Sequence, residues 1–426
     1  MVDGLTLAAR VRWRLTPWWG RVLVVYLASR VVTTVIMLAM AVVEGRANGT
    51  ATPDYFRLAA NWDGEWYWVI ALQGYPSVLP TDEAGHVLGS VWAFLPVYPL
   101  VLGAPMRIGF PFPIIAVVVT VLCGAAAALL FERMLRAAGL GASSALFGVV
   151  LLCTVPLSPM FQVSYADVPG LALLFGAILL VQRRRFLLAI PVIVVMALTR
   201  PSGLAFAFFL LLYLVVRVVR WRRQPGAHPL PLGEFAGIVA AGLVSFAAGL
   251  AWPAIAWAVT GSPSAYLDTE LAWRADYLGF GELVPFQAWF EGIAFWLRFM
   301  GAPADAALGL AVVLMVVLVG LFAVVLLSPA GRRLGVELRL WLVAYLVYLL
   351  AVFFPQSSTW RLLLPLVPAV AVFAVPWSGA PWAGTPRSRM LWARMLRLGL
   401  VALGVLGQIV WTYYCWIRVP GDWSPP

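Results

Sequence analysis

Residues 61–68 read NWDGEWYW and place two carboxylates among aromatic side chains. Asp63 and Glu65 flank one glycine, and Trp62, Trp66 and Tyr67 lie beside them in the sequence. A carboxylate held beside indole rings has its charged form disfavoured, which brings its proton affinity toward that of a useful base. Aromatic faces also stack on the C–H groups of sugar rings. The segment therefore indicates removal of a proton from a carbohydrate hydroxyl group. An interfacial loop with an aromatic belt is the competing interpretation.

The relative placement of Asp63 and Glu65 depends on the local backbone. In an extended strand, side chains two residues apart share a face, so the two negative charges would lie close together. Such a pair favours a base that works near neutral pH. We expect Asp63 to be the base and Glu65 to assist it.

Two arginines occur at the ends of apolar runs, where a lipid phosphate would lie. Arg200 is followed by the helix-breaking residues Pro-Ser-Gly, and Arg361 precedes the run LLLPLVP. A guanidinium group binds phosphate oxygens in pairs, so both arginines are candidates for a phosphate site. The alternative is that each only extends its charged group from the membrane edge into water.

Three further polar residues are less specific. Tyr165 and Asp167 belong to the segment SYAD, and Asp167 is expected to orient an arginine, to contact an acceptor, or to cap a helix beginning at Val168. Arg30 lies in the middle of the first apolar segment, where it must face protein or water. A structural role is as compatible with its position as a functional one.

The composition requires a membrane environment for the elements that position these residues. The chain has 426 residues, 63% hydrophobic and 11% charged, and a mean hydropathy of +0.93. Because the apolar runs are long and continuous rather than alternating, they predict an all-α polytopic membrane protein and exclude a β-barrel. Three cysteines and two histidines give no disulfide framework and no convincing zinc spacing.

The basic residues are all arginine, 29 in number, which is typical of a GC-rich bacterial genome such as that of an actinobacterium. The net charge of +11 does not indicate a nucleic-acid partner, because the arginines lie between apolar segments as topology signals do. Eleven apolar segments are evident. They are 20–43, 91–131, 143–161, 165–182, 186–198, 203–219, 235–258, 304–327, 338–354, 361–376 and 398–416.

Six arginine clusters determine the predicted topology. They are residues 10–21, 133–136, 183–185, 217–223, 332–339 and 387–397, and the positive-inside rule places all of them in the cytoplasm. Loops 44–90, 259–303 and 355–360 then face outward. This arrangement requires residues 91–131 to cross the membrane once, as a broken or re-entrant piece followed by one span. About eleven crossings are expected, within a range of ten to twelve, with interfacial helices in loop 44–90.

Five segments resemble the signature of the GPI second-mannose transferases and their bacterial relatives, the PIG-V-like family of the GT-C class. Residues 62–75 resemble its WD-x-E…IA-x-x-GY, and residues 94–100, FLPVYPL, its FFP-x-(Y/F)-P-L. SYAD, TRPSG and RLLLP, which begin at residues 164, 199 and 361, resemble its SY-S/T-E, R-S-N-G and R-x-x-L-P in the same order. Trp66 replaces a frequent His, Asp167 replaces Glu, and Pro201-Ser202 replace Ser-Asn. These departures concern the acceptor and the sugar more than the reaction type.

The resemblance implies one GT-C transmembrane domain over residues 1–426 in the inner (plasma) membrane, with loop 44–90 as the catalytic loop and 259–303 as a second large outer loop. It implies inverting transfer of mannose from a polyprenyl-phosphate donor to a lipid or glycan acceptor on the extracytoplasmic side. Asp63 would be the base with Glu65 as helper, and Arg200 and Arg361 would bind the donor phosphate. Trp62, Trp66, Tyr165 and Asp167 would contact or orient the acceptor.

The sequence also allows several alternatives to this interpretation. The family implies no metal cofactor, although Asp63 and Glu65 together are also compatible with a divalent cation. Glucose or arabinofuranose could replace mannose as the transferred sugar. A polyprenyl-lipid transporter or flippase, or a non-catalytic scaffold of a glycan-assembly complex, would also use many helices. The inverted repeats expected of a transporter are not evident in the sequence. Membrane lipids are expected partners in every case.

Overall fold

The computed structural model describes residues 12–13, 15–50, 53–375 and 386–420. In chain order the α-helices are α1 (Trp18–Ala47), α2 (Tyr55–Ala59), α3 (Asp63–Gln73), α4 (Val97–Met106), α5 (Phe112–Ala137), α6 (Ala142–Thr154), α7 (Asp167–Gln182), α8 (Phe186–Ala197), α9 (Gly203–Arg223), α10 (Leu232–Thr260), α11 (Ala265–Leu278), α12 (Ala288–Phe299), α13 (Ala304–Leu327), α14 (Pro329–Arg332), α15 (Gly335–Val352), α16 (Thr359–Leu362) and α17 (Pro386–Trp411). Short 3₁₀ helices occupy Val91–Ala93, Ser158–Gln162 and Leu364–Ala374, and Thr412–Trp416 continue α17 as a π-helix. These described residues contain no strand, only an isolated bridge between Thr81 and Val87.

Seven helices in the described part of the chain are long and apolar enough to cross a membrane. They are α1, α5, α9, α10, α13, α15 and α17 with its π-helical continuation. A helix satisfies its backbone hydrogen bonds internally, which hydrocarbon requires of any spanning segment. The chain is thus an all-α, multi-pass membrane protein. Eleven crossings would require four of the five shorter apolar helices to cross as well, and that number stays a prediction.

The segment 91–131 has the interrupted form expected from its prolines. Val97–Met106 forms the 10-residue helix α4, and a turn at Gly109 separates it from the 26-residue helix α5. Only α5 is long enough to be one of the seven candidate spans. The segment therefore consists of a short apolar piece followed by one full-length helix.

Close helix packing positions the connection that carries Arg200. Gly203, the first residue of α9, lies so near Gly249 of α10 that a β-carbon on Gly203 would meet the Gly249 Cα at 2.7 Å. The Ser245 hydroxyl of α10 also donates to the Gly203 carbonyl at 2.8 Å. Small residues permit such approach of two backbones, and polar side chains add hydrogen bonds between helices. The start of α9 is consequently held firmly against α10.

The directions of α7, α8 and α9 place Asp167 and Arg200 at one end of these helices and two arginine clusters at the other end. α7 begins at Asp167 and ends beside Arg183, and α8 then returns the chain to Arg200. α9 leaves that end again and finishes in the cluster Arg217–Arg223. A 16-residue helix such as α7 is about 24 Å long, so Asp167 and Arg200 share one end and the arginine clusters lie at the other.

The two large polar loops pack against each other at the Asp167 end. Loop 44–90 contains α2 and α3, and loop 259–303 contains α11 and α12. The Ser90 and Thr269 hydroxyl groups are 3.2 Å apart, and the His86 and Phe280 rings stack at 4.2 Å. The helices expected in the first loop are therefore present, and their position at the membrane interface stays a prediction. Arg10, Arg14, residues 51–52 and residue 376 lie outside the described residues.

Opposite ends of α7 should face opposite sides of the membrane. In a variant without native cysteines, a single cysteine at Glu83 should react with an impermeant maleimide added outside intact cells, because loop 44–90 is predicted to face outward. A single cysteine at Arg184 should react only after the cells are opened. Both positions are exposed, so the protein itself does not block labelling. Labelling of both from the same side would contradict the topology.

Candidate functional site

Four segments distant in sequence bring opposite charges together at one end of the helices. Asp63 is the first residue of α3, Asp167 the first residue of α7, and Arg361 lies in α16. Arg361 bonds to the Asp63 carboxylate and lies 4.0 Å from Asp167, whose other oxygen is 3.4 Å from Arg200. The charges alternate as Asp63–Arg361–Asp167–Arg200, a set that we name the charge cluster. The structure thus brings together four residues that the sequence analysis named as separate candidates.

The charge cluster is buried but not saturated with hydrogen bonds. Asp167 and Arg361 are 7% and 8% exposed, and the Asp63 side chain is 15% exposed. Among the described residues, the Asp167 Oδ2 atom and the Arg361 Nε atom have no hydrogen-bond partner. Buried ions are stable only when paired and hydrogen-bonded. The unsatisfied atoms therefore provide positions for the polar atoms of a ligand, such as the oxygens of a phosphate and the hydroxyl groups of a sugar.

Asp167 does not cap a helix, although capping was one of the three roles considered for it. α7 begins at Asp167 itself, one residue earlier than predicted, and Ala166 precedes it without a side-chain cap. The carboxylate instead contacts Arg200 and Arg361. These contacts are the ones that the orienting role, another of the roles considered for Asp167, would require.

Tyr165 and Trp62 fix the backbone that carries Asp63. The Asp63 N–H donates to the Tyr165 hydroxyl at 3.0 Å, and the Arg361 guanidinium lies over the Tyr165 ring at 5.1 Å. Trp62 has φ of 60° and ψ of −119°, an unusual backbone conformation for a bulky residue. Such conformations cost about 1–3 kcal/mol and persist only where surrounding contacts enforce them.

The C-terminal segment supplies contacts that hold Trp62 in this conformation. The Trp62 indole N–H donates to the Trp416 carbonyl at 2.7 Å, and the Arg418 guanidinium lies over the Trp62 ring at 4.7 Å. Glu44 accepts from the Arg418 backbone N–H at 2.9 Å and from the Asn61 amide, also at 2.9 Å. Residues near the end of the chain therefore position the turn immediately before Asp63. The sequence analysis did not identify Arg418 or Glu44.

Glu65 does not share a face with Asp63. Both residues lie in the first turn of α3, where side chains two residues apart point in widely different directions. Glu65 is bound to Arg418 at 2.7 Å and its side chain is 57% exposed. The close pair of carboxylates that an extended segment would form is therefore absent, because the segment is helical.

Trp66 links loop 44–90 to the second polar loop, 259–303. Its ring stacks on Phe94 at 5.9 Å and meets Trp273 of α11 edge-on at 5.7 Å. A cavity of about 380 Å³ lies between the loops, lined by Trp66, Leu88, Trp273 and Phe280 among others. The aromatic residues expected to contact an acceptor thus divide into two groups. Trp66 lines a cavity, whereas Trp62 is covered by the C-terminal segment.

The second polar loop adds a carboxylate that the sequence analysis did not single out. Glu270 lies on α11, where its side chain is open to solvent although the protein packed around it raises the pKa of its carboxyl group to about 7. Tyr266 and the charges of Arg200 and Arg361 lower the pKa less than the surrounding protein raises it, and Asp63 raises it further. Only the occurrence of Glu270 among aromatic residues in YLDTELAW could have indicated it.

Three further arginines lie away from the charge cluster. Arg30 is buried in α1, where it donates to the Ser158 carbonyl at 2.8 Å and to Gln162 at 3.2 Å, which gives it a structural role. Arg274 donates to the Glu282 carbonyl at 2.9 Å, and Arg298 is exposed on α12. Within the described residues, no group of three or more His, Cys, Asp or Glu side chains is arranged to hold a metal ion.

Neither known protein families nor curated proteins match the chain. Its class is therefore given by its own architecture. It is a multi-pass, all-α membrane protein that carries a buried cluster of alternating carboxylates and guanidinium groups at one end of its helices.

Proposed function

We propose that the protein is an inverting glycosyltransferase that moves a sugar, mannose in the first instance, from a polyprenyl-phosphate donor to a hydroxyl group of a lipid or glycan acceptor. The observation that carries the proposal is the charge cluster, in which two arginines and two carboxylates from four segments converge on one site. The arginines match the donor phosphate, and a partly accessible carboxylate matches the acceptor hydroxyl. The site lies on the extracytoplasmic side of the inner (plasma) membrane, with GT-C architecture.

Arg361 couples donor binding to the availability of Asp63. Its guanidinium group is bonded to the Asp63 carboxylate. A phosphate binds guanidinium in the same paired manner, so an incoming donor competes with Asp63 for these donor groups. Asp63 is then free to bond to the acceptor hydroxyl. Arg200, already held by Asp167, adds a second positive charge beside the phosphate.

The transfer step follows from this placement. The acceptor oxygen attacks the anomeric carbon and gives its proton to Asp63, while the bond between that carbon and the phosphate oxygen breaks. The electron pair of the broken bond stays on the lipid phosphate, where Arg200 and Arg361 stabilise the developing charge. Groups already oriented toward charge that appears in the transition state give the largest catalytic effect.

Purified protein in detergent tests the proposal directly. It should transfer radiolabelled mannose from polyprenyl-phosphate-mannose to a mannoside or inositol-lipid acceptor, and parallel reactions with glucose and arabinofuranose donors identify the sugar. Failure with every donor, together with movement of polyprenyl lipid across reconstituted vesicles, would favour a flippase instead. Failure of both assays would favour a scaffold.

The contact between Arg418 and Trp62 should affect turnover. Arg418→Ala removes a ring–cation contact and an ion pair, together worth about 1–2 kcal/mol, so a loss of about 5- to 30-fold in kcat is expected if they hold the turn before Asp63. Glu65→Gln should cost less, and the double variant should be no slower than Arg418→Ala alone.

Arg57→Ala, at an exposed site on α2 in the same loop, is the matched control and should leave kcat unchanged. If the losses from Arg418→Ala and Glu65→Gln simply add, the two residues do not act as one unit. A normal kcat in Arg418→Ala would show that the C-terminal segment does not position Asp63.

A further inference from the structure

The aliphatic stem of the Arg200 side chain lies directly against helix α7. A β-carbon added to Gly170 would lie 2.8 Å from the Arg200 Cγ atom and 3.4 Å from its Cβ atom. Gly170 comes three residues after Asp167, and residues at this spacing share one face of a helix. The guanidinium group of Arg200 lies 3.4 Å from the Asp167 carboxylate. One face of α7 therefore contacts both the stem and the charged end of Arg200.

Hydrogen bonds fix the backbone from which Arg200 extends. Its N–H donates to the Met196 carbonyl at 3.0 Å, and its carbonyl accepts from the Ser202 N–H at 2.6 Å. The preceding residue, Thr199, is 1% exposed, and its hydroxyl group donates to the Val195 carbonyl at 2.7 Å. A methyl group added on α7 would therefore displace the stem of Arg200 rather than its backbone.

The contact between Arg200 and Asp167 has little tolerance for such a displacement. Ordinary contacts of a β-carbon begin at 3.4 Å, so the Arg200 Cγ atom would have to move away from α7 by about 0.6 Å or more. The guanidinium group would move with it, because the group is attached through that atom. Its distance of 3.4 Å from Asp167 already exceeds the usual N–H···O range of about 2.7–3.2 Å. A further shift away from α7 would break the contact.

We propose that Gly170 is a positioning residue of the phosphate site, whose missing side chain lets Arg200 lie along α7 and keep its guanidinium group beside Arg361. The proposal rests on the glycosyl transfer proposed above. One oxygen of Asp167 faces Arg200 and the other faces Arg361, so the two arginines flank a single carboxylate. Moving Arg200 away from α7 separates its charge from Arg361 and from the phosphate that both arginines would bind.

Gly170→Ala tests this role in the transfer reaction. We expect kcat/KM for the polyprenyl-phosphate donor to fall by roughly 10- to 100-fold, mainly through a higher donor KM, because misplacement by about 1 Å has effects of this size. The acceptor KM should stay within about twofold of wild type. A general packing defect would instead lower the active fraction, which reduces kcat and leaves both KM values unchanged. Folded Gly170→Ala protein with the wild-type donor KM would overturn the proposal.

Gly176→Ala is the matched control on the same helix. A β-carbon at Gly176 would lie 3.8 Å from the Val192 Cγ1 atom and 3.9 Å from the Leu130 Cδ1 atom, which are ordinary contacts. Both substitutions add one methyl group and raise helix propensity equally, so they differ in what the methyl group meets. Gly176→Ala should keep the wild-type kcat and donor KM. An equal rise in donor KM in both variants would overturn the assigned contact with Arg200.

Thermal unfolding in detergent tests the contact without substrate. Gly170→Ala should unfold at a lower temperature than wild type, because its methyl group meets the Arg200 Cγ atom. Arg200→Ala removes that atom, so adding Gly170→Ala to this variant should lower the unfolding temperature no further. If Gly170→Ala alone does not fold, the double variant should still fold as Arg200→Ala does. An equal decrease in both backgrounds, or a double variant that fails to fold where Arg200→Ala folds, would overturn the proposal.

Binding of polyprenyl phosphate, the donor without its sugar, separates this inference from the proposed function. Gly170→Ala should weaken binding by about 10- to 100-fold, the loss expected when a charge-assisted contact is removed, and Gly176→Ala should not weaken it. A protein that shows this pattern but transfers no sugar would contradict the transfer reaction and not the role of Gly170. A protein that transfers sugar, and whose Gly170→Ala variant binds polyprenyl phosphate as wild type does, would contradict only the role of Gly170.

Discussion

Asp63→Asn should lower turnover by roughly a hundredfold to ten-thousandfold, the range typical of losing a general base. Asparagine has the same shape and can still accept a hydrogen bond from Arg361, so the charge cluster should keep its geometry. It cannot take a proton from the acceptor hydroxyl. Donor binding should survive, because the arginines that match the phosphate remain. Initial rates and donor affinity measured on the same purified protein check both expectations.

Glu83→Gln is the matched control for this substitution. Glu83 lies in the same loop but is exposed, so removing its charge should leave turnover unchanged. Asp63→Asn protein with normal folding and near-normal turnover would exclude Asp63 as the base. If Glu65→Gln were equally damaging and added divalent cation restored activity, a metal bridging the two carboxylates would replace the proposed role.

Arg361→Lys should lower kcat/KM for the donor by about a hundredfold to a thousandfold, the loss seen when a preorganised group that stabilises developing negative charge is removed. Lysine keeps the positive charge between Asp63 and Asp167 but cannot reproduce the paired contact of a guanidinium group with phosphate oxygens. Arg200→Lys should have a smaller effect, since Arg200 contacts one carboxylate of the cluster rather than two.

Lysine is preferred to alanine at position 361 for a physical reason. Removing one partner of a buried ion pair costs about 3–5 kcal/mol, so Arg361→Ala would combine unfolding with loss of function. Arg57→Lys on the exposed side of α2 is the control. Unchanged donor affinity in both Arg361→Lys and Arg200→Lys would place the phosphate elsewhere, with Arg274 and Arg298 as the next residues to test.

Much of the helical framework could be predicted from local properties of the sequence. Continuous apolar runs of about 20 residues have one stable solution in lipid, so α1, α5 and α10 follow from composition alone. The prolines of the segment 91–131 likewise predict its division into a short piece and a full-length helix. Charges at the ends of apolar runs identified three of the four cluster residues as candidates, and the aromatic surroundings of Asp63 identified the fourth.

The tertiary structure decided which of these charged residues form ion pairs with each other. Asp63 and Arg361 are 298 residues apart, and no local pattern specifies that they bond to each other while Glu65 bonds to Arg418. Whether residues 63 and 65 share a face depended on whether the segment formed a strand or a helix. Its aromatic residues do not settle that choice, because they suit both and the packing around the segment selects between them.

The sequence alone determined the membrane-embedded helices and the types of charge available at their ends, because hydrophobic length and side-chain chemistry are local properties. Only the packing of the two polar loops brought Trp273 against Trp66. Only the return of the C-terminal segment placed Arg418 over Trp62. Contacts of this kind depend on the path of the whole chain, since the interaction that stabilises each of them exists only after distant helices have packed.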